Sequence, residues 1–372
     1  MSLKIFLTSD IHLGMRFLRY ADIREDLVLA RFETLANMVA MANEENCQIF
    51  AVAGDLFDRL NIPSSQIKQA TEILNRFGGG PVLLLPGNHD HLTSNEKDLW
   101  LQMQRYAADH LLFLTEMQPY HLDGFGLDVC VYPAPCDKKH SAENHIHWVS
   151  RMAKRSSHTY HIGMAHGSLA GFSPDIDGRY YPMTEEQLLQ CRLDLWFLGH
   201  THKQFPDREN VGSIFFPATP EPDGFQCEHS GKAWLVAIAE DKTITTRSLS
   251  TGKYRFVDCT QAKAIIYQSI AKMRDFLDSF LERAEYTLLR IDVKGRIARD
   301  ELYELQELRD KYQETFFYLS MDFSALQALV SQEQIAVEFS QNSFAYRLLS
   351  QIPEEQAEDL QIAYSLLEKA KF

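Results

Sequence analysis

Apolar runs alternate with longer amphipathic stretches over roughly the first 110 residues of the chain. Short apolar runs occupy residues 4–9, 48–53 and 82–85, and apolar residues at helical spacing occupy about 23–43, 63–77 and 96–109. The short runs are typical of buried strands, and the spaced stretches are typical of helices. This alternation predicts a parallel sheet with helices on both of its faces.

After residue 111 the pattern changes to short strands. These are predicted at 112–115, 118–122, 127–132, 161–165, 193–198, 213–216, 233–239 and 243–249, with one helix at about 142–155. Short strands bounded by turn residues favour a sheet-rich layer, and the last three are typical of an antiparallel block. Residues 1–258 are therefore predicted to form one α/β domain, in which helices flank a two-layered sheet core.

The remainder of the chain has a different pattern. A long amphipathic helix is predicted over 261–284, a strand over 286–293, a helix over 298–312 and a strand over 315–320. This order predicts a small α+β domain over 259–340. Residues 341–372 contain two predicted helices split by Pro353, and the second has an apolar side. That side carries Leu360, Ala363, Tyr364 and Leu367. This apolar side of the helix either packs onto its own domain or docks a partner, and both interpretations stay open.

Composition narrows the class of protein. The 372 residues are 45% hydrophobic and 24% charged, as expected of a globular protein. No apolar stretch approaches the ~20 residues of a membrane-spanning helix, and the N-terminus does not resemble a signal peptide. Six cysteines without a CxxC pair favour a reducing cytoplasm. A net charge of −14 argues against a uniformly basic surface for nucleic acid, but not against a local basic groove.

Polar residues that bind metals follow five of the predicted strands. They are Asp10 and His12, Asp55, Asn88 and His89, His166, and His200 and His202. A glycine adjoins most of these positions, and in open α/β sheets ligands gather outside the carboxyl ends of the strands. His158 and His161 instead begin a strand, so they are expected at the far edge of the sheet.

The donor atoms in this group indicate the kind of ion. Carboxylate, amide oxygen and imidazole suit Mn²⁺, Fe²⁺ or Zn²⁺, and the absence of cysteine argues against a structural zinc site here. Seven donors are too many for one ion and sufficient for two, with Asp55 as the natural bridge. Paired ions clamp a phosphoryl oxygen and activate water for in-line attack. The pattern therefore predicts hydrolysis of phosphate esters.

The motifs D-x-H, G-D-x-x-D, G-N-H-D, H-G and G-H-T-H, in this order, resemble those of the calcineurin-like metallophosphoesterases. The stretches DIHLG and GDLFDR, the latter followed by Pro63, look like those of the SbcD-type DNA double-strand-break exonucleases. The loop 216–222 is also similar to theirs, although Ala218 and Thr219 stand where that group has Gly-Ser. The resemblance covers roughly residues 3–255.

The resemblance implies a role for each motif residue. One ion would be held by Asp10, His12, Asp55 and His202, and the other by Asp55, Asn88, His166 and His200. His89 would not bind metal but would protonate the leaving oxygen or stabilise the transition state. Asp90 would orient His89 or its loop, and Asp58 would support the ligands from behind. For both carboxylates, a purely structural role in a turn or cap stays open. The two divalent ions would be Mn²⁺ foremost, with Fe²⁺, Zn²⁺ or Mg²⁺ as alternatives.

The expected substrate and partners are inferred from the positions of arginines and from the same resemblance. Arg16, Arg19 and Arg59 flank two metal motifs, where they could contact a phosphate backbone without reading sequence. The resemblance implies an exonuclease, with or without endonuclease activity, that repairs DNA with an SMC-like coiled-coil ATPase and pairs through its catalytic domain. No P-loop is present, so ATP hydrolysis would come from that partner. A phosphodiesterase for small or cyclic nucleotides and a non-catalytic scaffold subunit are the alternatives, and the complete ligand set argues against the scaffold.

Overall fold

The computed structural model describes residues 2–94, 98–152, 156–353 and 357–370. The chain divides into two compact units, Met1–Phe256 and Val257–Phe372. The boundary predicted after residue 258 and the observed one fall within the same strand, Arg255–Cys259. In the part of the chain that the structure describes, no helix has the length and apolarity to cross a membrane.

The described part of the first unit contains twelve strands and five helices. The strands are β1 Leu3–Thr8, β2 Ile49–Val52, β3 Val82–Leu84, β4 Leu111–Phe113, β5 Tyr120–His121, β6 Val129–Ala134, β7 Tyr160–His166, β8 Leu195–Gly199, β9 Gln204–Phe205, β10 Ile214–Pro217, β11 Lys232–Ile238 and β12 Ile244–Ser250. The helices are α1 Arg24–Glu44, α2 Ser64–Leu74, α3 Leu99–Gln104, α4 His147–Ser150 and α5 Glu185–Gln190, with short 3₁₀ helices at Ala21–Ile23 and Asp123–Phe125. The start of the helix predicted at residue 96 lies outside the described residues.

These strands form two six-stranded sheets. The first has the order β12-β11-β1-β2-β3-β4, and its strands β1 to β4 are parallel. The second has the order β5-β6-β7-β8-β10-β9, with β6, β7, β8 and β10 parallel. The expected antiparallel block is confirmed for β11 and β12, which pair antiparallel and extend the first sheet. It is wrong for β10, which pairs in parallel with β8 in the second sheet.

The two sheets face each other across a shared apolar core. Alternate residues of β1, such as Ile5 and Leu7, pack with Val131 and Phe197 of the second sheet. The opposite face of β1, at Phe6, packs with residues of α1 and α2. Helices on both faces of the first sheet were thus a wrong prediction, since the second sheet covers one face. The two-layered sheet core flanked by helices is confirmed.

The predicted helix 142–155 is mostly loop. Only His147–Ser150 is helical, and residues 153–155 lie outside the described residues. Polar side chains bond locally or to neighbouring loops, and such bonds compete with helix formation. The Asn144 amide donates to the Pro182 carbonyl at 2.6 Å, and His145 Nδ1 donates to the Pro135 carbonyl at 2.7 Å.

The second unit combines a small sheet with helices. The strands are β13 Arg255–Cys259, β14 Ile265–Ile266, β15 Thr287–Ile297 and β16 Tyr318–Ala328; the helices are α6 Ile270–Asp278, α7 Arg299–Gln313, α8 Gln332–Glu338, α9 Phe344–Leu349 and α10 Ala357–Ala370, with 3₁₀ helices at Gln261–Lys263 and Leu281–Tyr286. The long helix predicted over 261–284 is wrong. Ile265 and Ile266 pair with β15 instead, and the Ser269 side chain caps α6.

Candidate metal centre

The carboxyl ends of five strands converge on one place in the first unit. Asp10, Asp55 and Asn88 follow β1, β2 and β3 of the first sheet, whereas His166 ends β7 and His200 follows β8 of the second. The two sheets therefore each supply part of the donor set. Two backbone hydrogen bonds join the loop after β1 to the loop after β2. The Asp10 N–H donates to the Gly54 carbonyl and the His12 N–H donates to the Asp55 carbonyl, both at 3.0 Å.

One cluster of donor atoms lies around His12. Its Nε2 is 3.2 Å from His202 Nε2 and 3.7 Å from Asp55 Oδ2. His202 Nε2 in turn is 3.6 Å from Asp10 Oδ1. Asp10, His12 and Asp55 are almost fully buried. Four donors from three separate motifs thus face a common point.

A second cluster surrounds the amide oxygen of Asn88. His166 Nε2 lies 3.0 Å and His200 Nδ1 lies 3.1 Å from Asn88 Oδ1. His166 Nε2 is also 3.2 Å from Asp55 Oδ2. Asp55 therefore contacts donors of both clusters, as a bridging carboxylate must.

Burial and neighbouring charges set the protonation of these groups. Burial, together with His166, lowers the pKa of His200 to about 3, and burial lowers the pKa of His12 well below its usual value. Burial opposes ionisation of Asp55, but His166 and His12 hold its pKa below the usual range. Neutral imidazole and ionised carboxylate are the forms that bind metal. Burial lowers the pKa of His166, but the neighbouring Asp55 carboxylate outweighs this effect and raises it to about 9. Its proton must leave before a cation binds.

The donor set fits divalent cations. Among the described residues, the sets Asp10–His12–His202 and Asp10–Asp55–His166 each place their ligand atoms within 4.8 Å of one another. Asn88 Nδ2 is buried without a hydrogen-bond partner, which leaves its oxygen as the functional end of the amide. Oxygen and imidazole donors of this kind suit first-row divalent ions.

Two glycines permit the close approach of these ligands. A Cβ atom on Gly87 would lie 2.2 Å from Asp55 Oδ1 and 2.4 Å from the Asp55 backbone nitrogen. A Cβ atom on Gly54 would lie 2.1 Å from His166 Nδ1. No side chain fits at these distances, so both motif glycines are needed for packing against the donors.

His89 is half-buried, and one of its ring nitrogens lies within 4.8 Å of ligand atoms of His12 and Asp55. Its Nδ1–H donates to the Asp58 carbonyl at 2.8 Å, and its backbone N–H donates to Asp55 Oδ1 at 2.8 Å. The imidazole makes an edge contact with His12, with ring centroids 4.8 Å apart. The Asp58 carboxylate is 3.7 Å from His12 Nδ1. Asp58 thus contacts both His89 and a predicted ligand.

Asp90 is fully buried beneath the loop. Its Oδ1 accepts the Gly87 N–H at 2.7 Å and its Oδ2 accepts the Phe57 N–H at 3.0 Å. Both bonds go to backbone, and they tie the third motif to the second. These contacts agree with both roles left open for Asp90, which are orientation of the loop and a structural role in a turn.

The three predicted substrate arginines are differently placed. Arg16 and Arg59 line one cavity of about 540 Å³ together with Gly14, while Arg19 is exposed and is not among its lining residues. The Arg59 guanidinium also bonds the Gly14 carbonyl and lies 3.4 Å from the Asp58 carboxylate. A second cavity of about 580 Å³ opens onto His200 and His202.

Three further residues support the ligands; Thr219 lies in the loop 216–222 noted from the sequence, whereas Asp223 and His229 were not singled out as functional. Asp223 Oδ2 lies 2.7 Å from His202 Nδ1, and His229 Nε2–H donates to the His202 carbonyl at 2.9 Å. The Thr219 hydroxyl is buried 2.9 Å from the Asp10 carbonyl oxygen. Its neighbour Ala218 has φ 73°, a conformation that glycine favours. No spacing signal marks Asp223 or His229, because loop folding alone brings them to the site.

Comparison with known proteins identifies the family. Residues 3–204 match the calcineurin-like phosphoesterase family. The chain is 26% identical over 230 residues to the uncharacterized metallophosphoesterase YhaO of Bacillus subtilis, covering 59% of this chain and 52% of YhaO. It is 29% identical over 210 residues to the DNA double-strand break repair protein Mre11 of Aeropyrum pernix, covering 54% and 49%. The chain thus spans about half the length of these curated relatives.

Comparison with solved structures gives matches of low similarity. TT1561 of Thermus thermophilus is 11% identical with a TM-score of 0.40, covering 66% of this chain and 99% of that one. The calcineurin-like phosphoesterase YfkN from Bacillus subtilis is 13% identical with a TM-score of 0.38, covering 67% and 91%. Because the family match spans more than half of the chain, the protein belongs to the calcineurin-like phosphoesterases, which are metal-dependent phosphoester hydrolases with a dinuclear divalent-metal site.

Proposed function

We propose that the protein is a two-metal DNA phosphodiesterase, acting as an exonuclease in DNA repair. The observation that supports this most strongly is the convergence of seven oxygen and nitrogen donors from five strand ends, with His89 beside them. Asp10, His12, Asp55 and His202 would hold one ion, and Asp55, Asn88, His166 and His200 the other. Mn²⁺ is the proposed metal, because two carboxylates, one amide oxygen and four imidazoles without a thiolate suit first-row divalent ions of this kind.

Side chains of the protein hold the ligands and the proton donor in position. When bound, two such ions neutralise charge on a phosphoryl oxygen and lower the pKa of the attacking water. Asp55 holds the two donor clusters at a fixed separation and orients the His89 backbone through its Oδ1. Asp58 and Asp223 hold the rings of His89 and His202. Asp90 fixes the loop that carries Asn88 and His89.

His89 is the proposed proton donor to the leaving oxygen. Because its Nδ1–H is committed to the Asp58 carbonyl at 2.8 Å, Nε2 is the nitrogen that can hold a transferable proton. The carbonyl only accepts, so it also fixes the plane of the ring. A general acid placed in this way accelerates such a reaction by ~10²–10⁴-fold.

DNA as the substrate is supported by charge and by similarity. Arg16 and Arg59 line a cavity beside the first two motifs, where guanidinium groups can bind phosphate. Arg19, which is exposed nearby, would contact backbone phosphates farther along the strand. These residues supply a local positive charge that the net charge of −14 does not preclude. The similarity to a protein named for double-strand break repair points to the same substrate.

The remaining proposals rest on the resemblance to SbcD-type nucleases. They are a cytoplasmic location, pairing of two chains through the catalytic domain, and an SMC-like coiled-coil ATPase docked on residues 341–372. On α10, Leu360 and Tyr364 are buried within the second unit. Docking would therefore use the other side of this helix, where Ile362 and Leu366 are 53% and 62% exposed.

A substrate panel tests the proposal. Purified protein with Mn²⁺ is assayed on linear double-stranded DNA, single-stranded DNA, a cyclic nucleotide and a chromogenic phosphodiester. We expect DNA to be degraded, with turnover of the cyclic nucleotide far weaker. Strong hydrolysis of the cyclic nucleotide without DNA cleavage would favour the small-substrate enzyme instead. No hydrolysis of any substrate would favour the scaffold.

A further inference from the structure

Three side chains of types that can bind metals meet at the edge of the second sheet opposite the proposed catalytic centre. His121 lies on β5, Cys130 near the start of β6, and His158 just before β7. The catalytic donor His166 ends β7 eight residues after His158, roughly 25 Å away at about 3.3 Å per residue. The three residues therefore form a cluster that is separate from the proposed catalytic centre.

Sheet pairing brings the three together from segments that are distant in sequence. His121 and Cys130 are register partners on antiparallel β5 and β6, so their side chains share one face. His158 stacks its ring on that of His121, with centroids 4.9 Å apart and planes 23° apart. One ligand atom from each of the three residues lies within 4.8 Å of the other two.

The hydrogen bonds of His158 leave one nitrogen for a ligand. Its Nε2 lies 2.8 Å from Asp123 Oδ2, whereas its Nδ1 is buried with no hydrogen-bond partner. The side chain as a whole is only 10% exposed. A buried polar atom without a partner is unfavourable, and a cation would satisfy it. A carboxylate behind a ligating imidazole is also the arrangement that fixes such a ring and raises its basicity.

We propose that His121, Cys130 and His158 bind a zinc ion. A thiolate with two imidazoles is a borderline-soft donor set that suits Zn²⁺, while Mn²⁺ and Mg²⁺ prefer oxygen. Tetrahedral zinc needs its ligand atoms roughly 3.5 Å apart, from bonds of about 2.0–2.3 Å. The exposed His121 can close the remaining distance. Binding removes the thiol proton of Cys130 and leaves the fourth position to water.

The ion would join three chain segments. It links β5, which pairs only with β6 among the described strands of this sheet, to the segment that enters β7. Asp123 is a positioning residue here, since its carboxylate keeps the proton on Nε2 of His158 and Nδ1 free. The site lies apart from the catalytic donors, so its loss should leave phosphodiester hydrolysis unchanged.

Cobalt spectroscopy tests the proposal on the full-length protein. The chain is stripped with a chelator, saturated with Co²⁺ and examined for a thiolate-to-cobalt charge-transfer band in the near ultraviolet. None of the proposed catalytic ligands is a cysteine, so this band reports only on a thiolate site. We expect the band in the wild type and in the matched control Cys191→Ser, a second buried cysteine of the same apolar cluster, at the C-terminal end of α5. We expect it to disappear in Cys130→Ser.

Zinc content gives an independent measurement. His121 is exposed, so His121→Ala should fold normally and bind one zinc fewer per chain than the wild type. Asp123→Asn should keep the full content at saturation but bind this zinc ~10–100-fold more weakly. A wild type without the band, a band that survives Cys130→Ser, or equal zinc content in wild type and His121→Ala would each overturn the site. Unchanged affinity in Asp123→Asn would overturn the positioning role.

Discussion

At the scale of single residues, the site is built on backbone conformations that most residues avoid. Asp10, His12 and Asp55 have φ values of 53°, 49° and 52°, and His200 has a φ value of 102°. Such positions cost about 1–3 kcal/mol each and persist where surrounding contacts enforce them. Here the enforcing contacts are those between the first two motif loops, including the bond from Asp10 N–H to the Gly54 carbonyl. The strain turns each donor toward the common centre.

His89→Ala should separate metal binding from hydrolysis. The substitution removes the proposed proton donor and none of the seven proposed ligands, so metal content should stay at the wild-type level. We expect kcat on DNA to fall ~10²–10⁴-fold. Steady-state kinetics and elemental analysis measure the two effects, with the exposed His147→Ala as the histidine control. Full activity with intact metal content would refute the role of His89.

Gly87→Ala tests the close packing at the third motif. Its Cβ atom would lie 2.2 Å from the Asp55 carboxylate, so this ligand must move and metal affinity must fall. A metal titration should show binding weakened by at least about tenfold, as expected when support of a ligand is lost. Gly124→Ala is the control, because nothing lies within 4 Å of a Cβ atom there. Equal affinities in the two variants would contradict the packing argument.

At the scale of elements, local pattern predicted the strands that carry the chemistry better than it predicted their partners. The apolar runs before Asp10, Asp55 and Asn88 are strands β1 to β3, because their interiors are buried on both faces. The pairing of strands that are distant in sequence could not be predicted from the same pattern. Within the helix predicted at 142–155, the Asn144 side chain bonds to a neighbouring loop and only His147–Ser150 is helical among the described residues. Ile265 and Ile266 pair with β15 despite their helical spacing. Such tertiary contacts override local periodicity.

The packing of helix α10 leads to a prediction about stability. Leu360 is 2% exposed in a cluster with Ile335 and Leu349, so Leu360→Ala should destabilise this cluster by about 2–5 kcal/mol. Hydrogen exchange of peptides from α8 and α9 measures the free energy of local opening. Leu366→Ala, on the exposed side of the same helix, should change it by less than about 0.5 kcal/mol. Similar exchange in both variants would mean that α10 does not depend on this packing.

At the scale of the whole molecule, two sheets complete one donor set that neither sheet holds alone. The first sheet supplies Asp10, His12, Asp55 and Asn88, and the second supplies the remaining three histidines. Motif spacing predicted which residues meet, because all follow the carboxyl ends of strands. It did not predict Asp223, which approaches His202 from a loop that no periodicity describes. The sequence therefore predicts the donors themselves more fully than the groups that orient them.

The account depends most on Asp55 as the residue shared by both ions. Asp55→Ala removes the carboxylate that contacts donors of both clusters, while Asp241→Ala removes an exposed carboxylate elsewhere in the first unit. The decisive measurement is the manganese content per chain of these two variants and the wild type, determined together with the rate of DNA hydrolysis. The account predicts two Mn²⁺ and full activity in the wild type and Asp241→Ala, and at most one Mn²⁺ with activity lost in Asp55→Ala. Unchanged manganese content and DNA hydrolysis in Asp55→Ala would contradict it.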